Sequence, residues 1–316
     1  MPIDSGGQGL TQADIDAVNR HLAAKSMALN MTPRPDMGGL SAAAVAHLLY
    51  SSWGEPGGAV QFNSDVEPAT LESSLFFRQA RALLQAVHDA DGVKATAAGN
   101  LPRKFVAEMV DCMLGEEARE DVWRFHKVVN EEDIRALHSS RVVCQEAGLL
   151  RRYKGKFVVP KKRAGLLSPE RGTELFRALF VSCFRCVNLA YLAWAGPEAG
   201  ALQKGVPYTL YRLGVVAVDW LKTDGAENTI VLPGIRQSLE YETGTESYWS
   251  VGKLLEYRIL GLLIDWGLLE GRYVDQKYGM KKLDAVRVTA LHNAFLRFEL
   301  NPAYEPDFAP RWRGSA

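Results

Sequence analysis

The sequence predicts a mainly α-helical fold with short β-hairpins, and three observations carry that reading. Apolar residues recur at three- and four-residue spacing through most of the chain. One arrangement, a helix stopped by glycine and followed by two strands around a loop, occurs twice, at Gly148 and at Gly267. The first of these hairpins also concentrates positive charge: residues 151–167 carry seven Lys or Arg and no acid. A helix, a tight stop and a hairpin make the second half of a winged helix. The expected architecture is therefore two winged-helix-like units bridged by a helical middle.

Bulk properties narrow the class. The 316 residues suffice for two or three domains with real cores. A composition 47% hydrophobic and 23% charged excludes disordered and fibrous classes. The longest apolar stretch, 175–195, is interrupted by Arg177 and Arg185, which argues against a membrane span. No basic region followed by an apolar run opens the chain, and four cysteines do not make a disulfide scaffold, so a reduced cytoplasmic protein is expected. Lys and Arg total 37, as do Asp and Glu. That zero balance argues against a protein that coats nucleic acid indiscriminately, although the flanks of the basic hairpin are acidic, with residues 91–150 at −3 and 168–250 at −2.

Taken in order, residues 1–39 read as a flexible N-terminal helix and linker. Their first ten residues are Gly-rich, Thr11 and Asp14 form a capping box, and Ile15, Val18 and Leu22 make a helical stripe. Residues 40–167 form the first helical and winged-helix-like unit. Ser41 caps a helix with Val45, Leu48 and Leu49 on one face, 54–68 is a loop, and Leu71 to Val87 is the clearest early helix, ended by Asp91-Gly92. A short strand at Val93 turns at Gly99, with Asn100 as N-cap and Pro102 near the first turn of a helix to Leu114. Residues 115–132 are acidic and interrupted, and 132–147 is the next helix. Residues 168–245 form the helical middle. Ser168-Pro169 opens an apolar helix ending near Gly196-Pro197, Tyr208 to Leu221 is helical with Leu213, Val216 and Trp220 inward, and Pro233-Gly234 marks a break. Residues 246–300 form the second winged-helix-like unit, with a helix from Val251 to Trp266, two strands, and a last helix to Leu300. A loose tail, 301–316, follows.

The two units align. Ala147-Gly148-Leu149-Leu150 matches Trp266-Gly267-Leu268-Leu269, and Phe157, Val159, Leu166 and Leu167 fall on Val286, Val288, Phe295 and Leu296. The connecting loop is longer in the second copy.

Thr96-Ala97-Ala98-Gly99-Asn100-Leu101-Pro102, Leu48-Leu49-Tyr50, the run from Ala147 to Lys162, and Asn188-Leu189-Ala190-Tyr191 resemble a family of bacterial cytoplasmic proteins of unassigned function. Its members occur alone or fused to plasmid pRiA ORF-three-like or SEC-C domains. The resemblance implies one unit from about Leu40 to beyond Trp220 and assigns no catalytic or binding residue.

Candidate chemistry centres on the basic hairpin. Arg151, Arg152, Lys154, Lys156, Lys161, Lys162 and Arg163 suit a wing lying along DNA phosphates. Arg135, His138 and Arg141 share a face of the preceding helix, from which Arg141 would reach a guanine edge in a major groove. The alternative is a solvated loop neutralised by the acidic run from Glu116 to Asp133. Cys183-Phe184-Arg185-Cys186 has redox or zinc spacing but lies inside an apolar helix without a second pair, so core cysteines are expected. Histidines at 21, 47, 88, 126, 138 and 292 show no ligand spacing, and no phosphate-binding glycine loop or nucleophile elbow is present. No cofactor or metal is expected. Three functions stay open: a DNA-binding regulator or mobile-element accessory factor acting through the basic wing, a non-enzymatic adaptor or self-associating scaffold, and an enzyme with a dispersed site.

Overall fold

The structure, a computed structural model, describes residues 11–193, 199–244, 248–276 and 280–306. The Gly-rich start, Trp194, the helix end expected at Gly196-Pro197 and the tail from Asp307 lie outside the described residues. The fold is mainly helical, with short antiparallel sheets.

The first repeat opens on the helix Leu75–Asp89, which buries Phe76, Ala80, Leu83, Leu84 and Val87. The Ser74 hydroxyl accepts from the Phe77 N–H at 3.2 Å, so the helix starts at Leu75 and Pro68–Leu71 is a separate turn. Asp91 and Gly92 take positive φ and deliver the chain to the strand Val93–Lys94. The helix Arg103–Met113 follows with Pro102 at its N-cap. Asn100 does not cap it; its amide donates to Glu132 at 3.1 Å instead. The acidic stretch contains a regular helix, Glu116–Phe125, and a 3₁₀ turn, Glu131–Asp133, precedes the helix Arg135–Glu146. Gly148, at φ 63°, ends that helix, and the strands Arg151–Tyr153 and Lys156–Val158 return.

Apart from Glu116–Phe125 in the first and the short helix Glu227–Ile230 in the second, the second repeat has the same order: the helix Val206–Val216, the strand Leu221–Lys222, the helix Pro233–Thr243, a helical run from Val251 to Asp265, and the strands Leu269–Asp275 and Lys281–Val288. Both three-stranded sheets put the returning hairpin strand in the centre and the early strand on its far side. The register agrees residue for residue. Arg152 and Val93 flank Phe157, and Gly271 and Leu221 flank Val286. The stops agree too, since Leu149 donates to the Cys144 carbonyl and Leu268 to the Leu263 carbonyl, both at 2.9 Å. The echo in sequence is thus an echo in pairing.

Several boundaries differ from expectation. Trp220 is not helical; it lies half-buried beneath Arg272 and Arg287, whose guanidiniums are 5.0 and 4.7 Å from its ring. Pro233 opens a helix, where a missing N–H costs nothing, rather than breaking one. The apolar middle helix runs Gly172–Val181, widens into a π-helical turn Ser182–Cys186, stops at extended Val187 and restarts as Leu189–Ala193. The supposed 54–68 loop holds a strand, Val60–Phe62, paired with Leu296–Phe298. The last helix, Ala290–Phe295, therefore ends before Leu300.

One apolar core runs through both repeats. At its centre Phe76 of the first repeat stacks on Trp266 of the second at 4.4 Å, with Phe176, Phe180 and Phe295 around them. The helix Gln12–Met31 is the exception: its Thr11–Asp14 capping box forms, yet no residue in it is buried.

Candidate nucleic-acid interface

The basic hairpin is built from its stop outward. Leu149 and Leu150, each 1% exposed, anchor its base beneath the helix end. The ladder pairs Arg151 with Val158, Arg152 with Phe157 and Tyr153 with Lys156. Lys154 and Gly155 both take positive φ (47° and 74°), the geometry of a two-residue turn whose twist matches that of the strands. Directly paired residues share a face of the sheet and neighbours alternate. Phe157 therefore points inward, fully buried, while Arg151, Tyr153, Lys156 and its cross-strand partner Lys94 occupy the outer face. Arg152, beside Phe157, reaches over the Gly99 turn, where a Cβ would stand 2.7 Å from its guanidinium. Pro160 then turns the chain into the short helix Lys161–Ala164, on which Lys161, Lys162 and Arg163 are exposed.

The charges on this surface stand without acids. Among the described residues, none of Arg151, Arg152, Lys154, Lys156, Lys161, Lys162 and Arg163 makes an ion pair. Arg151 and Lys154 bracket the Tyr153 ring at 5.1 and 5.4 Å. Lys94 and Lys156 face each other across the ladder, a like-charge pair that costs stability unless an anion lies over it. In the second sheet several cations are paired, although Lys281 and Lys282 near its hairpin tip make no ion pair among the described residues. Lys222 and Arg272 pair with Asp284 at 2.8 and 3.1 Å, and Arg287 pairs with Glu270 at 2.7 Å. The hydrogen bonds from Lys222 and then Arg272 hold the Asp284 carboxyl below its usual range.

Among the described residues, no acid of the run from Glu116 to Asp133 makes an ion pair with the first hairpin. Asp121 pairs with Arg124 at 2.9 Å, and Asp133 accepts from the Asn130 backbone at 2.8 Å. Glu131 turns inward, its side chain fully buried, and accepts from the Leu101 N–H at 2.8 Å, from His138 Nδ1 at 3.2 Å and from Arg141. Burial alone would raise this carboxyl, but the hydrogen bonds from His138, Leu101 and Arg141 outweigh it and hold it low.

That network separates the three helix residues read from the sequence. Arg135 is exposed at the helix start. His138 is buried, with Nε2 2.9 Å from the Tyr191 hydroxyl, and Arg141 lies on Glu131, Gln145 and the face of Phe157. The guanine contact expected of Arg141 requires a guanidinium that this fold commits inside. The cause is the segment 182–193, which packs on the helix Arg135–Glu146 and on the helical run from Val251 to Asp265: Tyr191 caps His138, and the Leu189 carbonyl accepts from Arg258 at 3.3 Å.

Two residues of the surface were not singled out from the sequence. Lys94 became part of it through strand order, which places residue 94 beside residue 156; the signal was the in–out alternation of Val93 and Lys94. Tyr153 sits among the cations as an aromatic platform. The cysteines divide: Cys144 and Cys183 are buried, with burial pushing the Cys183 thiol up to about 12, whereas Cys112 and Cys186 are exposed and not in the core as expected.

Fold and surface together define a mainly helical protein with two repeats of one strand order, the first of which carries a hairpin whose cations make no ion pair among the described residues. Residues 72–172, less than half of the chain, match the family described as the Y4jL N-terminal domain, and that segment spans the first repeat with its hairpin. The match supports kinship of this segment with an uncharacterised family. No curated protein and no solved structure matches the chain.

Proposed function

We propose that both repeats are winged-helix units and that the first binds DNA by laying its hairpin along the phosphates, as a regulator or accessory factor. The carrying observation is the contrast between the sheets: acids pair with Lys222, Arg272 and Arg287 in the second, and among the described residues none pairs with the seven cations of the first. With the helix Arg135–Glu146 covered, the contact is made by Arg151, Arg152, Lys154, Lys156, Lys161, Lys162 and Arg163, with Arg135 at the margin. Such a contact reads backbone and groove shape rather than base edges.

The test is a salt series of duplex-DNA binding by the protein and by a variant with Arg151, Arg152, Lys154, Lys161 and Lys162 changed to Ser. Four to six phosphate contacts predict log K falling with log salt by roughly 4 to 5, and the variant should lose most of that slope. Absence of binding at low salt defeats the DNA reading. Equal binding by the variant moves the interface elsewhere.

A second reading, a self-associating scaffold, draws on the helix Gln12–Met31, which exposes Ile15, Val18, Leu22 and Leu29. Most helical stability in proteins comes from packing an apolar face, and this helix buries none of its own. It predicts concentration-dependent mass in sedimentation, reduced by Leu22→Glu; a strict monomer at all concentrations removes it.

A further inference from the structure

We propose that the cleft between the helix Ala42–Tyr50, the π-helical turn Ser182–Cys186 and the start of the helix Val206–Val216 binds a small aromatic carboxylate. The cleft has a volume of about 540 Å³, within the range of small-molecule sites. Its apolar surface comes from Leu49, Phe184 and Pro207, and its charge from Arg185 and Lys204.

The chemistry follows from which polar groups are already engaged. The Gln203 amide is committed: its oxygen accepts from the Leu189 N–H at 3.2 Å and its nitrogen donates to the Val187 carbonyl at 2.7 Å. Asn188 Oδ1 accepts from the Ala190 N–H at 2.9 Å. These two residues brace the wall. Arg185 and Lys204 are different, because among the described residues neither side chain has a carboxylate partner. Arg185 lies 5.3 Å from the Trp53 ring and is exposed at the cleft, so its guanidinium is held beside the opening and remains accessible to a ligand. Two cations with no carboxylate partner among the described residues, beside an apolar wall, select a ligand with one anionic end and an apolar body. Tyr50, exposed on that wall, favours a planar ring, with Phe184 backing the wall from the core.

The π-turn is what brings these groups together. The Val187 N–H donates to the Ser182 carbonyl at 3.0 Å, and the widened turn sets both Phe184 and Arg185 on the cleft. Such bulges recur at ligand sites. The inference uses no residue of the basic hairpin.

The experiment is a calorimetric titration of the whole protein with 2-naphthoate and with neutral 2-naphthamide. Naphthoate should bind saturably and the amide about tenfold more weakly, the cost of a charge-assisted hydrogen bond. Lys204→Gln, at an exposed position that the fold does not depend on, should weaken naphthoate by a similar factor and leave the amide unchanged. Arg185→Gln should do the same, with circular dichroism checking that Trp53 packing survives. No saturable naphthoate binding, equal affinity for the amide, or wild-type affinity in Lys204→Gln overturns the proposal.

Discussion

Glu131 shows how one buried carboxylate can decide what a surface offers. It accepts from a backbone N–H, a histidine and an arginine while its side chain is fully buried. Removing one member of a buried ionic set leaves the others uncompensated, which typically costs 3–5 kcal/mol. Glu131→Gln should therefore lose about 3 kcal/mol in urea unfolding. Its folded carboxyl sits below the ordinary value of 4.5, so its contribution is complete above pH 4.5 and lost as pH falls through the lower folded value. The variant should show a shallower acid decline than the parent, and an unchanged decline would deny Glu131 that role. At this scale the sequence misleads for a definite reason. Residues 135, 138 and 141 have the spacing of a common face, but spacing does not say what lies over that face. The cover, Tyr191, comes from a segment distant in sequence.

The two glycine stops compare like with like at the element scale. Both sit at positive φ, 63° and 71°, where an L side chain pays a left-handed penalty. A Cβ on Gly148 would meet nothing within 4 Å, whereas on Gly267 it would stand 3.0 Å from the Ser74 Cα. Gly148→Ala should cost about 1 kcal/mol, and Gly267→Ala about 1–3 kcal/mol more because backbone must yield. Equal unfolding midpoints would show that the first helix and the second stop are not in firm contact. Here the sequence is most legible. The glycine stops, the stripe of Leu75–Asp89, the Ser41 cap and the hairpin register all follow from local chemistry. What stays illegible are elements made by distant partners: the strand Val60–Phe62 exists because Leu296–Phe298 pairs with it, and Trp220 leaves its helix to lie under two arginines. The hairpin was legible as charge, but which acids pair with it was not, because the partners of Asp121, Glu131 and Asp133 are set only once the chain has folded.

For the molecule as a whole, the junction of the repeats is core rather than boundary. Phe76 and Trp266 stack across it, and Val60–Phe62 ties the early chain to the last strand. Trp266→Ala should cost about 3–5 kcal/mol, and calorimetry should show one cooperative transition for both repeats. Two resolved transitions would mean that the repeats unfold independently despite the shared aromatics. No described helix is long and apolar enough to cross a membrane.

The shared register of the two hairpins also makes hairpin length an adjustable dimension. In the second repeat the ladder continues outward from Arg272 to Asp275 opposite Lys281, with a bulge after Arg272, while everything inboard of Gly271 keeps the pairing of the first. Strand residues alternate faces, so growth by one residue on each arm swaps inner for outer, and growth by two restores them. Each two-residue step carries the tip outward by about 7 Å. The reach of the cationic hairpin is thus a ruler marked in such steps. Lengthening it moves Lys154 relative to Lys161–Arg163 without disturbing Phe157, so the spacing between its cations can change while the fold beneath stays constant.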